Sequence, residues 1–189
     1  ASIHQGDFRI TPNQNLIIAG VSLQQKHLIQ NLAIKYQLID DSASLIRLNS
    51  IACVSFPTYP QAMAEAERYF PQLIGKIDSL VEKHSLNDLD LVIRMTGCPN
   101  GCARPFVAEI GLVGKGPGRY NLLLGGDGQG LRLNKLYKEN LNEEGILNVV
   151  DELLARFKSE RLADERLGDF VIRQGIISAV VNPAVDFHD

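Results

Sequence analysis

The chain has 189 residues, 45% of them apolar, and a net charge of −3. These values are typical of a globular protein with one large or two small domains. The acidic balance argues against nucleic acid as a partner, and no run of about 18 apolar residues is present to span a membrane. The first residues do not resemble a signal peptide, and three cysteines are an odd number for a disulfide framework. We therefore expect a cytoplasmic protein with reduced thiols.

Residues 6–40 carry the pattern of two strands followed by a helix. Residues 7–11 alternate apolar and polar side chains, and residues 15–19 form a more continuous apolar run. Ser22 and Gln25 match a capping box, and the apolar residues after them recur at helical spacing. The pattern predicts a compact ββα unit.

The middle of the chain mixes helical and extended patterns. A polar connection over residues 41–50 precedes an apolar segment. Thr58 is a candidate N-cap for a helix over about 59–70, and a second helix is predicted over 71–84. Strands are predicted at 91–95, 109–113 and 119–125.

The C-terminal part begins with the clearest helix signal in the sequence. Asn142 is a candidate cap, and the apolar residues after it form one helical face. Residues 168–173 are predicted as a short strand, which completes an α+β pattern with mixed strands. Residues 125–130 are glycine-rich but lack the Lys-Ser/Thr ending of a phosphate-binding loop. We interpret them as a mobile turn, and nothing in the sequence predicts an NADPH site.

Two cysteines lie close together in the segment Thr96-Gly97-Cys98-Pro99-Asn100-Gly101-Cys102, directly after a predicted buried strand. Proline, asparagine and glycine favour the curled backbone that would point both sulfurs at one centre. A tight turn with two incidental thiols remains an alternative. A zinc site is poorly supported, because the histidines are scattered without ligand spacing. Cys53 by itself fits a small buried apolar residue.

Several of these motifs together resemble the siroheme nitrite and sulfite reductases, and the later motifs resemble the sulfite-reducing hemoproteins in particular. The resemblance covers nearly the whole chain. It is carried by residues 8–16, 52–58, 62–67, 96–102, 111–115, 118–122, 137–140 and 168–170.

The resemblance implies an α+β fold in two parts. Residues 1–44 would form an incomplete ferredoxin-like ββα half-domain, and residues 45–189 the nitrite/sulfite reductase domain that binds siroheme and a [4Fe-4S] cluster. Cys53, Cys98 and Cys102 would be cluster ligands. Cys102 would also bridge a cluster iron to the siroheme iron.

The sequence departs from the family at Tyr59, where the resemblance implies the fourth cysteine. A thiolate at the start of a helix is favoured by the helix dipole, whereas a phenol, with a reference pKa near 10, is a poor substitute. Three outcomes remain open. In the first the cluster is lost, in the second it is incomplete, and in the third Tyr59 is an unusual oxygen ligand.

The resemblance also implies siroheme contacts, because the carboxylates of siroheme need converging cationic and amide donors. The residues in question are Arg9, Thr11, Asn13, Gln14 and Asn100. From the residues alone, Arg9 fits a solvated strand residue with a surface partner, and Asn100 fits a turn former.

The implied activity is the reduction of sulfite to sulfide with electrons from a separate flavoprotein subunit. The family protein is longer, and the N-terminal half of the hemoprotein carries most of the anion-binding basic residues. No catalytic residue is therefore assigned in this chain, which we expect to be inactive alone. The alternatives are a siroheme nitrite reductase fragment and a cluster-free structural domain.

Overall fold

A computed structural model describes residues 3–39 and 42–187, which divide into two compact units, Ala1–Ala43 and Ser44–Asp189. The first unit pairs strand β1 (Phe8–Ile10) with strand β2 (Leu16–Ile18) in antiparallel register, and helix α1 (Leu23–Lys35) follows. The predicted ββα pattern is confirmed. The capping box is wrong, because the Ser22 hydroxyl donates to Gln25 Oε1 at 3.2 Å and accepts no backbone N–H.

The second unit is built on a mixed five-stranded sheet in the order β3-β4-β5-β6-β7. The first two pairings are parallel, and the last two are antiparallel. Its strands are β3 (Ile51–Ala52), β4 (Ile93–Thr96), β5 (Ile110–Gly116), β6 (Arg119–Leu124) and β7 (Lys135–Leu141). Its helices are α2 (Leu45–Asn49), α3 (Phe70–Lys83), α4 (Glu143–Glu160), α5 (Leu167–Arg173) and α6 (Pro183–Asp186), and Pro105–Val107 form a 3-10 turn.

The core of the second unit lies between one face of the sheet and helices α3 and α4. In β4, Ile93 and Met95 are fully buried in this core. Arg94 and Thr96 alternate with them and therefore point to the other face. Within the described residues, no helix is long and apolar enough to cross a membrane. The α+β class with mixed strands is confirmed.

The helix predicted over 59–70 is wrong. The backbone N–H of Tyr59 donates to Ser55 O, and those of Met63 and Ala64 both donate to Gly97 O, at 2.8 and 2.9 Å. The backbone amides of this segment are therefore satisfied by turns and by the carbonyl of Gly97, which follows β4, and not by a helix. The regular helix α3 begins only at Phe70.

The strand predicted over 168–173 is also wrong, because these residues lie in helix α5. Leu167, Phe170 and Val171 are buried at the spacing of one helical face. The polar connection over 41–50 contains the short helix α2, whose cap Ser44 accepts a hydrogen bond from Arg47 N. Strand β7 was not predicted. The predicted Asn142 cap is confirmed by its hydrogen bond from Gly145 N.

A buried carboxylate joins the sheet to helix α5. Glu109 is fully buried and accepts hydrogen bonds from Val92 N at 3.0 Å, Gly168 N at 3.1 Å and Arg166 Nη2 at 2.8 Å. Arg166 also pairs with Asp90 at 2.7 Å. A buried charge with this many partners is tolerated, but removing the charge leaves its partners unsatisfied.

We expect Glu109→Gln to lower the free energy of unfolding by about 3 kcal/mol, because the partly buried Arg166 and two amide donors lose the buried carboxylate. Glu160→Gln is the matched control, since Glu160 pairs with Arg156 at the surface and exposed pairs contribute little. Urea unfolding of both variants, followed by circular dichroism, measures the difference. Equal midpoints for the two variants would contradict this role of Glu109.

Candidate cofactor site

The cysteine loop, residues 96–102, follows directly from strand β4. Cys98 is buried and Cys102 is exposed. Gly101 has a positive φ of 69° and its carbonyl accepts from Arg104 N at 2.7 Å, so the chain turns sharply after Cys102. The curled backbone expected from glycine at this point is present.

Cys53 meets the cysteine loop from the neighbouring strand. Its backbone N–H donates to Met95 O at 3.1 Å, which extends the parallel pairing of β3 with β4. Its Sγ accepts hydrogen bonds from Gly97 N at 3.3 Å and from Thr96 Oγ1 at 3.4 Å. Loop amides and hydroxyls that donate to sulfur are typical of iron–sulfur sites. Cys53 thus lies beside the peptide that precedes Cys98.

Gly97 allows this close approach because it has no side chain. A Cβ at this position would overlap the Ser55 side chain and the carbonyl of Ala64. The same is true of Gly114 on β5, where a Cβ would overlap the Gly97 carbonyl. Three segments of the chain therefore pack backbone against backbone around the start of the cysteine loop.

Tyr59 also reaches the cysteine loop. Its hydroxyl donates to Gln61 Oε1 at 3.1 Å and accepts from Asn100 Nδ2 at 3.4 Å. Residue 59, where the family resemblance implies a fourth cysteine, thus contacts the loop that carries Cys98 and Cys102. Because residue 59 lies in a turn and not at a helix start, the stabilisation of a thiolate by a helix dipole at this position does not apply.

The siroheme contacts predicted in the first unit lie around a turn between β1 and β2. Thr11 and Asn15 close this turn through hydrogen bonds in both directions, at 2.9 and 3.1 Å, and Gln14 within it has a φ of 62°. Arg9 pairs with Asp7 at 3.4 Å, and both side chains are largely exposed. Siroheme binding by Arg9, Thr11, Asn13, Gln14 and Asn100 stays a prediction.

Within residues 3–39 and 42–187, no three His, Cys, Asp or Glu side chains are grouped so that they could hold a single metal ion. A mononuclear site binds all its ligands at one centre. The thiolates of a [4Fe-4S] cluster are spread around a larger body. Joint ligation by Cys53, Cys98 and Cys102 stays a prediction.

Sequence reasoning missed Arg94, a buried arginine in β4. Only 8% of it is exposed, and its Nε has no hydrogen-bond partner within the described structure. Its Nη1 donates to Arg104 O at 3.4 Å. Burial and then the charge of Arg104 lower the pKa of Arg94 from its ordinary value. The sequence does contain a signal for this residue, because a charged side chain stands inside the otherwise apolar run 91–95.

No protein-family model matches the chain. The sulfite reductase [NADPH] hemoprotein beta-component of Shewanella sediminis is 57% identical to it over 189 residues, and that of Serratia proteamaculans is 54% identical. Each match covers 100% of this chain and 33% of the relative, so the chain spans about a third of the length of these curated relatives.

Among solved structures, the NirA protein of Mycobacterium tuberculosis superposes with a TM-score of 0.69 at 23% identity. The match covers 88% of this chain and 32% of that one. At this identity the likeness concerns the fold alone, and it confirms the α+β fold that the resemblance implied. The resemblance to the sulfite-reducing hemoproteins is confirmed by the curated relatives, which are hemoprotein beta-components of NADPH sulfite reductase.

We expect Gly97→Ala to destabilise the second unit by about 3 kcal/mol or more, because the added methyl group overlaps a buried side chain and a backbone carbonyl. Gly116→Ala is the matched control, since nothing lies within 4 Å of a Cβ at that position. Thermal unfolding gives the stabilities, and a thiol reagent gives the accessibility of Cys98. The tight packing at Gly97 would be contradicted if Cys98 stayed unreactive and the melting temperature did not fall.

Proposed function

We propose that this chain is the C-terminal, cluster-bearing part of the hemoprotein of an assimilatory NADPH-dependent sulfite reductase, which reduces sulfite to sulfide. The observation that carries the proposal is the meeting of Cys53 and Tyr59 at the cysteine loop. Cys53 Sγ accepts from Gly97 N, and Tyr59 Oη accepts from Asn100 Nδ2. The four positions implied by the resemblance thus belong to one region of the second unit.

The chemistry of three cysteine thiols suits an iron–sulfur cluster, which is held by thiolates. Cys53, Cys98 and Cys102 would supply the thiolates, and the amide of Gly97 already points at one of the sulfurs. When bound, the [4Fe-4S] cluster and the siroheme supply electron storage and multi-electron transfer. The protein's own task is to fix the thiolates and to hold the loop in its curled form. Tyr59 offers a phenol oxygen where the family pattern has a sulfur.

The siroheme would also contact Arg9, Thr11, Asn13, Gln14 and Asn100, with Cys102 as the bridge between the two cofactors. Residues 1–44 would be the ferredoxin-like half-domain, and residues 45–189 the domain that binds siroheme and the cluster.

Electrons would come from a separate flavoprotein subunit, in keeping with the NADPH in the relatives' name. In the glycine-rich region around residues 125–131, the backbone amides of Gln129 and Leu131 already donate to Asp127 Oδ1. The N-terminal half of the hemoprotein would supply the remaining enclosure of the siroheme and the basic residues that bind sulfite. The complete enzyme would act in the cytoplasm.

A second candidate is a structural domain without a cluster. It is favoured by the hydrogen bonds of Tyr59 to Gln61 and Asn100, which support the loop without any metal. A nitrite-reducing relative is a further alternative, which residues outside this chain would decide.

We expect Tyr59→Cys to raise the iron and acid-labile sulfide bound per chain after anaerobic reconstitution, because it adds a fourth thiolate at the cysteine loop. Tyr59→Phe is the matched control, since it keeps the ring and removes only the hydroxyl. Metal analysis and the visible absorption spectrum are the measurements. Neither variant is expected to produce sulfide from sulfite with a chemical electron donor, because the basic residues proposed to bind the anion lie outside these 189 residues.

Cys53→Ala in the Tyr59→Cys background tests whether the cluster forms at the proposed place. We expect it to return iron binding to the level of the unaltered chain or below it. Iron content that is independent of Cys53 would contradict the proposed ligand set. Equal iron in the unaltered chain and in Tyr59→Cys would show that the phenol does not limit assembly.

A further inference from the structure

A second polar site lies next to the cysteine loop, around the buried side chain of Arg94. A cavity of about 380 Å³ is lined there by Arg94, Gly101, Arg104, Phe106 and Gln129, together with neighbouring residues of the same loops. The described residues that line this cavity all belong to the second unit. It is large enough for a small anion or for the end of an acidic side chain.

Among the residues that the structure describes, no carboxylate pairs with the buried Arg94. Its Nε–H has no partner within the described residues, and its Nη1 has only the distant carbonyl of Arg104, at 3.4 Å. By contrast, the partly buried Arg166 forms ion pairs with both Asp90 and Glu109. Burying a charged group without a counter-charge is costly, so a missing partner is the simplest reason for such a residue.

The residues that line the cavity favour an anionic partner. Arg104 adds a second positive charge close enough to lower the pKa of Arg94. Gln129 adds a side-chain amide that can donate a hydrogen bond. None of the residues that the structure describes around this cavity is acidic.

We propose that Arg94 and Arg104 form an oxyanion-binding site, in which the unpartnered Nε–H of Arg94 donates to a carboxylate or to a small tetrahedral oxyanion. Arginine binds both classes through charge-assisted hydrogen bonds from its planar fork. The group comes either from an acidic side chain outside this chain or from a free anion in solution. The site uses none of the cysteines and does not depend on the proposed cluster.

The test is a titration of the 189-residue chain, with arginine labelled by nitrogen-15, followed through the arginine Nε–H signals by NMR. Sodium sulfate and sodium acetate are added separately, with ionic strength held constant by sodium chloride. We expect a saturable shift of the Arg94 Nε–H signal, which is assigned by its loss in Arg94→Lys. A lower dissociation constant for sulfate identifies a free tetrahedral oxyanion, and a lower one for acetate identifies a carboxylate.

Arg104→Gln tests the second half of the site without disturbing the buried residue. Because a hydrogen bond to a charged group contributes about 1.5–3 kcal/mol, we expect anion binding to weaken about tenfold or more in this variant. Arg119→Gln is the matched control, since Arg119 is exposed on β6 and away from the cavity. A shift that never saturates with either anion, or equal affinities in Arg104→Gln and Arg119→Gln, would overturn the proposal.

Discussion

Gly97 sets the geometry of the cysteine region, because its backbone contacts the segment of Cys53 and Ser55, the segment of Met63 and Ala64, and strand β5 at Gly114. Its N–H donates to Cys53 Sγ, and its carbonyl accepts from two successive amides, those of Met63 and Ala64. The missing side chain of Gly97 leaves room for Ser55 and for the Ala64 carbonyl, and the missing side chain of Gly114 leaves room for the Gly97 carbonyl. A side chain at Gly97 would push the segment that carries Cys53 and Ser55 away from the loop that carries Cys98 and Cys102. The proposed ligand set therefore depends on backbone packing as much as on the cysteines.

The sheet below this region is stiffened by polar groups as well as by its apolar core. Glu109 ties β5 to the start of α5 and to Val92, just before β4, through the hydrogen bonds it accepts. Asn134 is fully buried, and its amide donates to Pro105 O and Ala108 O, which fixes the turn that follows the cysteine loop. Hydrogen bonds made by buried polar groups favour a single arrangement of the chain. The hydrogen bonds of Glu109 and Asn134 thus support the cysteine loop in addition to the contacts at Gly97.

Sequence reasoning predicted the ββα unit, helix α4 and three strands of the central sheet, β4, β5 and β6, because their apolar periodicity is local. It was wrong for residues 59–70, where the amides of Met63 and Ala64 bond to Gly97, a residue distant in sequence. It was wrong for residues 168–173, whose short apolar run fits a strand or a buried helix equally well. For the site, the assignment of the three cysteines as cluster ligands and of Tyr59 as a departure from the pattern came from the family resemblance. The isolated charge of Arg94 could only be judged once the described partners of its Nε were known.

The most direct measurement is a crystal structure of the chain after anaerobic reconstitution with iron and sulfide. If the thiols share one cofactor, the electron density will place a single cluster in contact with the Sγ atoms of Cys53, Cys98 and Cys102, with Tyr59 at its edge. Iron bound only by Cys98 and Cys102, with Cys53 Sγ still accepting from Gly97 N and remote from the metal, would contradict the shared site.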